Sequence, residues 1–357
     1  MKISTDKRNL IISGLVIGAI SVLLVILGNP KNMGFCIACF VRDIAGAAKM
    51  HSAAVVQYVR PEIIGLILGS LAISLVKKEF RPRGGSSPFL RLVIGAFVMI
   101  GALTFLGCPF RMILRLAGGD LNALVALFGF ACGIAAGCFF LNNGFSLGRT
   151  KEQSAIEGAA LPAINAIIFI LSLAVPALFA FSEKGPGASH APVIISLSAG
   201  LAVGILAQRT RLCMVGGIRD IILVRDFTLI LGFAAIFLSA LIMNIASGSF
   251  QLGFENQPIA HTAHVWNFLG MFIVGLGSVM IGGCPLRQII MAGEGSTDSA
   301  MSVTGMFIGA AVSHNFGLVG NATADGPNAY GKTAVIAIIV ILLLIAYGFS
   351  FGKKRGR

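Results

Sequence analysis

Residues 107–113 read GCPFRMI and residues 283–289 read GCPLRQI. Five of seven positions agree across an offset of 176 residues, and each copy closes an apolar run. A second cluster precedes each of them. Residues 35–44 are FCIACFVRDI and residues 212–221 are LCMVGGIRDI, with Cys36, Arg42 and Asp43 matching Cys213, Arg219 and Asp220 at an offset of 177. The spacing from Cys36 to Cys108 is 72, and from Cys213 to Cys284 it is 71. Chance likeness between apolar helices does not keep Cys, Arg and Asp in step, so the chain is read as an internal duplication.

The runs between the clusters set the class. The chain has 357 residues, 56% of them apolar and 11% charged, against about 25% charged in an ordinary soluble domain. Ten apolar runs fall near 9–28, 60–76, 89–106, 121–141, 161–181, 193–207, 227–247, 265–281, 299–313 and 333–351. A crossing of the roughly 30 Å hydrocarbon core takes about 20 residues. The expected fold is an all-α polytopic membrane protein with about ten transmembrane helices. No polar stretch is long enough for a soluble domain. The first run is a span rather than a cleaved signal peptide, because it is too long and lacks a small-residue cleavage site.

The net charge of +13 follows the positive-inside rule and implies no nucleic acid. With a cytoplasmic N-terminus, 19 of the 27 Lys and Arg fall on the cytoplasmic side and 8 outside. Both termini are therefore expected in the cytoplasm, in the plasma (inner) membrane. Each half holds four spans, and an odd number of spans separates equivalent clusters, so the second half is inverted. The expected division is repeat 1 at about 8–141, a linking span at about 160–182, repeat 2 at about 190–314 and a terminal span at about 333–351. Inverted repeats with a binding site near the midplane are a recurring transporter plan.

The clusters carry the chemistry. Pro109 suits the first turn of a helix, where its missing N–H is no loss. Cys108 then stands at the N-cap and Arg111 in the first turn, and Gly118-Gly119 ends the helix after about ten residues. Such a helix is too short to span and is read as a re-entrant half-helix whose N-terminus favours an anion. Gly283, Cys284, Pro285 and Arg287 repeat the arrangement. Gly107 and Gly283 with Pro109 and Pro285 support the two helix starts. Cys36 and Cys213 open another pair of short helices. Arg42 and Asp43 diverge by about 100° on a helix and are expected to meet different partners, with Asp43 and Asp220 neutralising arginines of neighbouring motifs. The proposed substrate path is lined by Cys36, Cys108, Cys213 and Cys284 and ringed by Arg42, Arg111, Arg219 and Arg287. Soft sulfur in a positive field suits a sulfur- or selenium-containing anion. Cys132 and Cys138 have no counterpart cysteine and read as packing. Cys36 and Cys39 form a C-x-x-C, but Gly216 stands where a second Cys39 would be. No metal site or cofactor is expected, since His261 and His264 alone make no site.

Gly34-Phe35-Cys36, Arg42-Asp43, Gly107 to Arg111 and Gly283 to Arg287 resemble the YeeE/YedE family over nearly the whole chain. The resemblance implies an hourglass membrane fold and a thiosulfate-like anion handed along cysteines through weak S–H···S contacts, at Cys36, Cys108 and Cys284. Length and motifs are most similar to the YedE-type branch, which implies selenium metabolism and a small sulfurtransferase-like cytoplasmic partner. The function expected is transport, not enzymatic catalysis. Two rivals stand beside it: a membrane oxidoreductase or sulfurtransferase that binds the chalcogen covalently on Cys, and a soft-metal transporter, which the positive field disfavours.

Overall fold

The structure is a computed structural model that describes residues 5–322 and 325–351. The extreme termini, with Lys2, Lys353, Lys354, Arg355 and Arg357 of the charge count, lie outside the described residues. Fourteen helices account for nearly all the regular structure among the described residues. They are α1 Thr5–Ile26, α2 Ile37–Ala47, α3 Pro61–Val76, α4 Pro88–Phe105, α5 Pro109–Ala117, α6 Asn122–Asn142 and α7 Ala155–Ala174, followed by α8 Val193–Thr210, α9 Met214–Val224, α10 Thr228–Ala246, α11 His264–Ile281, α12 Pro285–Gly293, α13 Thr297–Asn315 and α14 Ala329–Phe351. The only strands among the described residues are β1 Arg83–Gly84 and β2 Lys151–Glu152, paired antiparallel. The protein is an all-α polytopic membrane protein.

Among the described residues, eight helical stretches are long and apolar enough to cross a membrane. The shorter α3 is also apolar. The long but more polar α13 is not among the eight, yet it runs from Ser296, bridged to Arg83, to Asn315, bonded to Met50. The face on which α1 starts is called here the near face. There Glu79 after α3 pairs with Arg209 at the end of α8, and Arg81 beside it donates its backbone N–H to Glu294 O after α12. On the opposite, far face Asn29 after α1 accepts from Ala191 N before α8, and Asn315 at the end of α13 donates to Met50 O. The long helical stretches run alternately between these faces, and α14 ends beside the end of α6, where Ser350 Oγ donates to Phe140 O.

The breaks in the long helices follow from local chemistry. Leu106 and Gly282, in register, both take left-handed backbone angles, φ 64° and 88°, which stop α4 and α11. Pro109 and Pro285 restart the chain as α5 and α12. Only three residues separate the pieces, so α5 and α12 follow α4 and α11 directly rather than returning through a loop. Gly119 and Gly295 end the short helices at φ 95° and 98°. The end of α5 meets the far-face loop through Gly118 O and Gln251 N, whereas the end of α12 meets the near-face residue Arg81. The two short helices α5 and α12 therefore point to opposite faces.

The long helices pair across the halves: α1 with α10, α3 with α8, α4 with α13 and α6 with α11. A glycine sits against a partner carbonyl in each pair. A methyl group added at Gly18 would lie 2.6 Å from Ile236 O, and one at Gly65 would lie 2.6 Å from Leu197 O. Small residues allow this approach, and dispersion between backbones replaces the hydrophobic effect as the adhesive inside lipid. Of an 18-residue apolar segment within α11–α12, 83% is buried inside the protein, against 17% for one within α7. The broken helices thus stand at the centre and α7 at the rim, where Ile164, Ile167 and Ile170 face outward.

Candidate functional site

The four repeated cysteines are all buried and fall into two pairs, one per half. Cys36 is the N-cap of α2, and its sulfur accepts from Cys39 N at 3.3 Å. Cys213 is the N-cap of α9, and its sulfur accepts from Gly216 N at the same 3.3 Å. Cys108 and Cys284 occupy N-cap positions too, yet neither side chain caps its own helix. The Cys108 sulfur instead accepts from Ile37 N, the first N–H of α2, at 3.3 Å. The Cys284 sulfur lies 4.0 Å from that of Cys213. Each half therefore brings two thiols together at the starts of two short helices, where orphan N–H groups gather.

Gly107 and Gly283 let the motif arginine fold back over the break. A methyl group at Gly107 would meet Arg111 Cδ at 3.0 Å, and one at Gly283 would meet Arg287 Cγ at 2.9 Å. The two arginines then differ. Arg111 is fully buried. Its guanidinium donates to the carbonyls of Leu106, Asn32, Pro258 and Ile259 and lies 3.9 Å from the Cys39 sulfur. It forms no salt bridge among the described residues. Arg287 is held by Glu294 through two bonds of 3.0 and 3.3 Å.

Arg42 and Asp43 correct the sequence expectation. They pair with each other, Nη2 to Oδ1 at 2.7 Å. Arg219 and Asp220 do the same at 2.8 Å. The 100° divergence applies to the Cβ atoms. The long arginine stem bends across it, and a buried guanidinium takes the nearest carboxylate because an unpaired one is costly. Asp43 also receives Arg60 Nε at 2.8 Å, so one carboxylate holds two buried cations.

Several residues of the site escaped the sequence reading. Arg60 is fully buried, donates to the Ser189 and Pro186 carbonyls and stacks over Phe40 with its centre 4.6 Å from the ring. Arg115 is fully buried, pairs with Asp120 at 2.6 Å and lies over Phe105 at 4.1 Å. An Arg and an Asp straddling Gly118-Gly119 were the available signal for that pair. No comparable signal marks Arg60. Cys39, set aside because its counterpart is Gly216, directs its sulfur at Leu106 O at 3.8 Å. Cys132 is exposed and Cys138 buried, and neither joins a thiol pair. All seven cysteines carry free thiols.

A family model described as sulphur transport matches residues 2–108 and 209–355. The first stretch contains Cys36 and ends on Cys108, and the second contains Cys213 and Cys284. The chain is also similar to the thiosulfate transporter TsuA of Spirochaeta thermophila, 35% identical over 101 residues. That match spans 28% of this chain and 30% of the relative's length. On the family match, which takes in both halves of the duplication and all four repeated cysteines, the chain belongs to the sulphur-transport (YeeE/YedE) family.

Proposed function

We propose that the protein transports a small sulfur- or selenium-containing anion, of the thiosulfate class, along its buried thiols. The observation that carries this is Arg111: a fully buried guanidinium with carbonyl and thiol neighbours and no carboxylate among the described residues. Desolvating a charge costs several kcal/mol, roughly, unless it is compensated. An anion passing Arg111 supplies that compensation. Cys108, Cys36 and Cys39 then offer polarizable contacts, and Cys213 and Cys284 do the same in the other half. Family membership and the partial likeness to a thiosulfate transporter support the same substrate chemistry. The reading needs no cofactor and no covalent step, and it treats the protein as a transporter rather than an enzyme.

On this reading the near face is cytoplasmic, from the 19-to-8 distribution of Lys and Arg, and the protein sits in the inner membrane. The reading divides the chain into one repeat at about 8–141 and another at about 190–314, with about 160–182 linking them and about 333–351 appended. A small sulfurtransferase-like protein is the cytoplasmic acceptor, and selenium is the alternative cargo to sulfur. The test is uptake of labelled thiosulfate and labelled selenite, each with the other as competitor, by cells with and without the protein. Thiosulfate uptake that selenite does not inhibit assigns sulfur, and the reverse assigns selenium. Equal uptake of both labels with and without the protein refutes the proposal.

A further inference from the structure

The near face holds a cavity of about 360 Å³ lined by Glu79, Arg81, Arg83, Thr150, Gln208, Arg211, Arg287, Met291, Glu294 and Ser296. Its charges do not balance locally. Glu79 is engaged by Gln208 at 2.9 Å and by Arg209, which is outside the lining, at 3.0 Å. Glu294 is engaged by Arg287. Arg81, Arg83 and Arg211 form no salt bridge among the described residues. The cavity meets the thiols through α12, which begins at Cys284 and carries Arg287 in its first turn and Glu294 at its C-cap.

The duplication shows what is special about Glu294. Position 294 is in register with Gly118. In the first half there is no side chain there, and Arg111 turns to backbone carbonyls. In the second half a carboxylate fills both prongs of the Arg287 fork. Two parallel N–H···O bonds are the mode in which arginine also takes a sulfate-like oxyanion.

We propose that this cavity is a second oxyanion site, linked through α12 to the Cys213–Cys284 pair, and that Glu294 is its built-in competitor. The Glu294 carboxylate occupies the Arg287 fork. A tetrahedral dianion held by Arg81, Arg83 and Arg211 displaces it, and the returning carboxylate expels the dianion again. The inference rests on the anion-transport reading for its purpose, but the binding site stands on this geometry alone.

The test is equilibrium binding of sulfate, and separately of thiosulfate, to purified full-length protein by calorimetry. A tethered competitor acts at an effective concentration in the millimolar range, so Glu294→Gln is expected to tighten sulfate binding by about three- to tenfold. The double variant Glu294→Gln, Arg287→Gln is expected to lose that gain. Glu294→Asp, with a shorter reach to the fork, gives a second variant with an intermediate gain. All three keep the backbone bond from Arg81 N to Glu294 O. Unchanged or weaker binding in both Glu294→Gln and Glu294→Asp overturns the proposal. So does a gain that survives loss of Arg287. Because binding is read without transport, absent thiosulfate uptake in cells sinks the functional reading and leaves this result standing.

Discussion

The N–H of Ile37 donates to the sulfur of Cys108 at 3.3 Å, so a cysteine from the GCP motif completes the N-terminus of a helix that begins at the other motif. Cys36 serves another free donor of that helix, the N–H of Cys39. The two cysteines, 72 residues apart in sequence, thus share one helix start. This is a structural role for both thiols, and it must be separated from their proposed contact with the anion.

Serine and alanine separate the two roles. Cys108→Ser keeps an acceptor for Ile37 N, whereas Cys108→Ala leaves a buried donor unsatisfied, at about 1–3 kcal/mol. Alanine is therefore expected to lower thermal stability and serine to change it little. Both are expected to abolish labelled thiosulfate uptake at matched expression, because both lack the polarizable sulfur. Normal uptake by the double Cys108→Ser, Cys284→Ser variant would sink the thiol path. Cys132→Ala, at an exposed position on α6, is expected to leave uptake and stability intact.

Asp43 and Asp220 are equivalent in sequence and unequal in burial. Asp43 is buried and holds both Arg42 and Arg60. Asp220 holds Arg219 with side chains 23% and 31% exposed. Breaking a buried pair costs about 3–5 kcal/mol, and an exposed pair is worth about 0–1. Asp43→Asn is expected to lower the midpoint of thermal unfolding sharply and Asp220→Asn slightly. Equal shifts would mean that the buried pairing is not what holds α2 in place.

Reporter fusions test the orientation. Gly84 lies on the near face, and Gly187, Gln257 and Asp325 lie in far-face loops. Fusions at Gly84 are expected to report the cytoplasm and those at the other three the outside. A cytoplasmic signal at Gly187 or Gln257 would invert or abolish the assignment of faces.

The near-face contact of Glu79 gives a pH signature. Its hydrogen bonds to Gln208 and then Arg209 hold its carboxyl below the usual carboxylate range. A depressed folded-state value adds stability that is present above the unfolded value and lost as pH falls through the folded one. The stability difference between the wild type and Glu79→Gln is expected to stay constant from pH 8 to 6 and to close only below the ordinary carboxylate range, read by thermal unfolding across pH. A difference that closes near neutrality would assign the effect to another group.

The crossings and the motif breaks were legible in the sequence, because length, apolarity, Gly and Pro act locally. Pro109, Gly119, Pro285 and Gly295 delimit their short helices as their chemistry dictates. The charges were less legible. Arg42 and Asp43 were judged by the direction of their Cβ atoms, and a stem of several rotatable bonds overrode it. Arg60 and Arg115 were counted only as outside charges, although Arg115 falls on the expected short helix before Gly118, because nothing in a single sequence shows which groups bury them. The β1–β2 pair was missed for the same reason: two residues each carry no period, and only the packing of neighbouring near-face loops brings them together.

The glycine contacts at the four crossings have a mechanical consequence. Each seam joins a helix of one half to a helix of the other, so the halves are threaded through one another like clasped fingers. Sliding one half as a rigid body would shear four backbone-to-backbone seams at once. On the transport reading proposed above, the motion that lets an ion through is therefore expected to be small: a rotating thiol, a swinging guanidinium, or a short helix shifting on its three-residue tether.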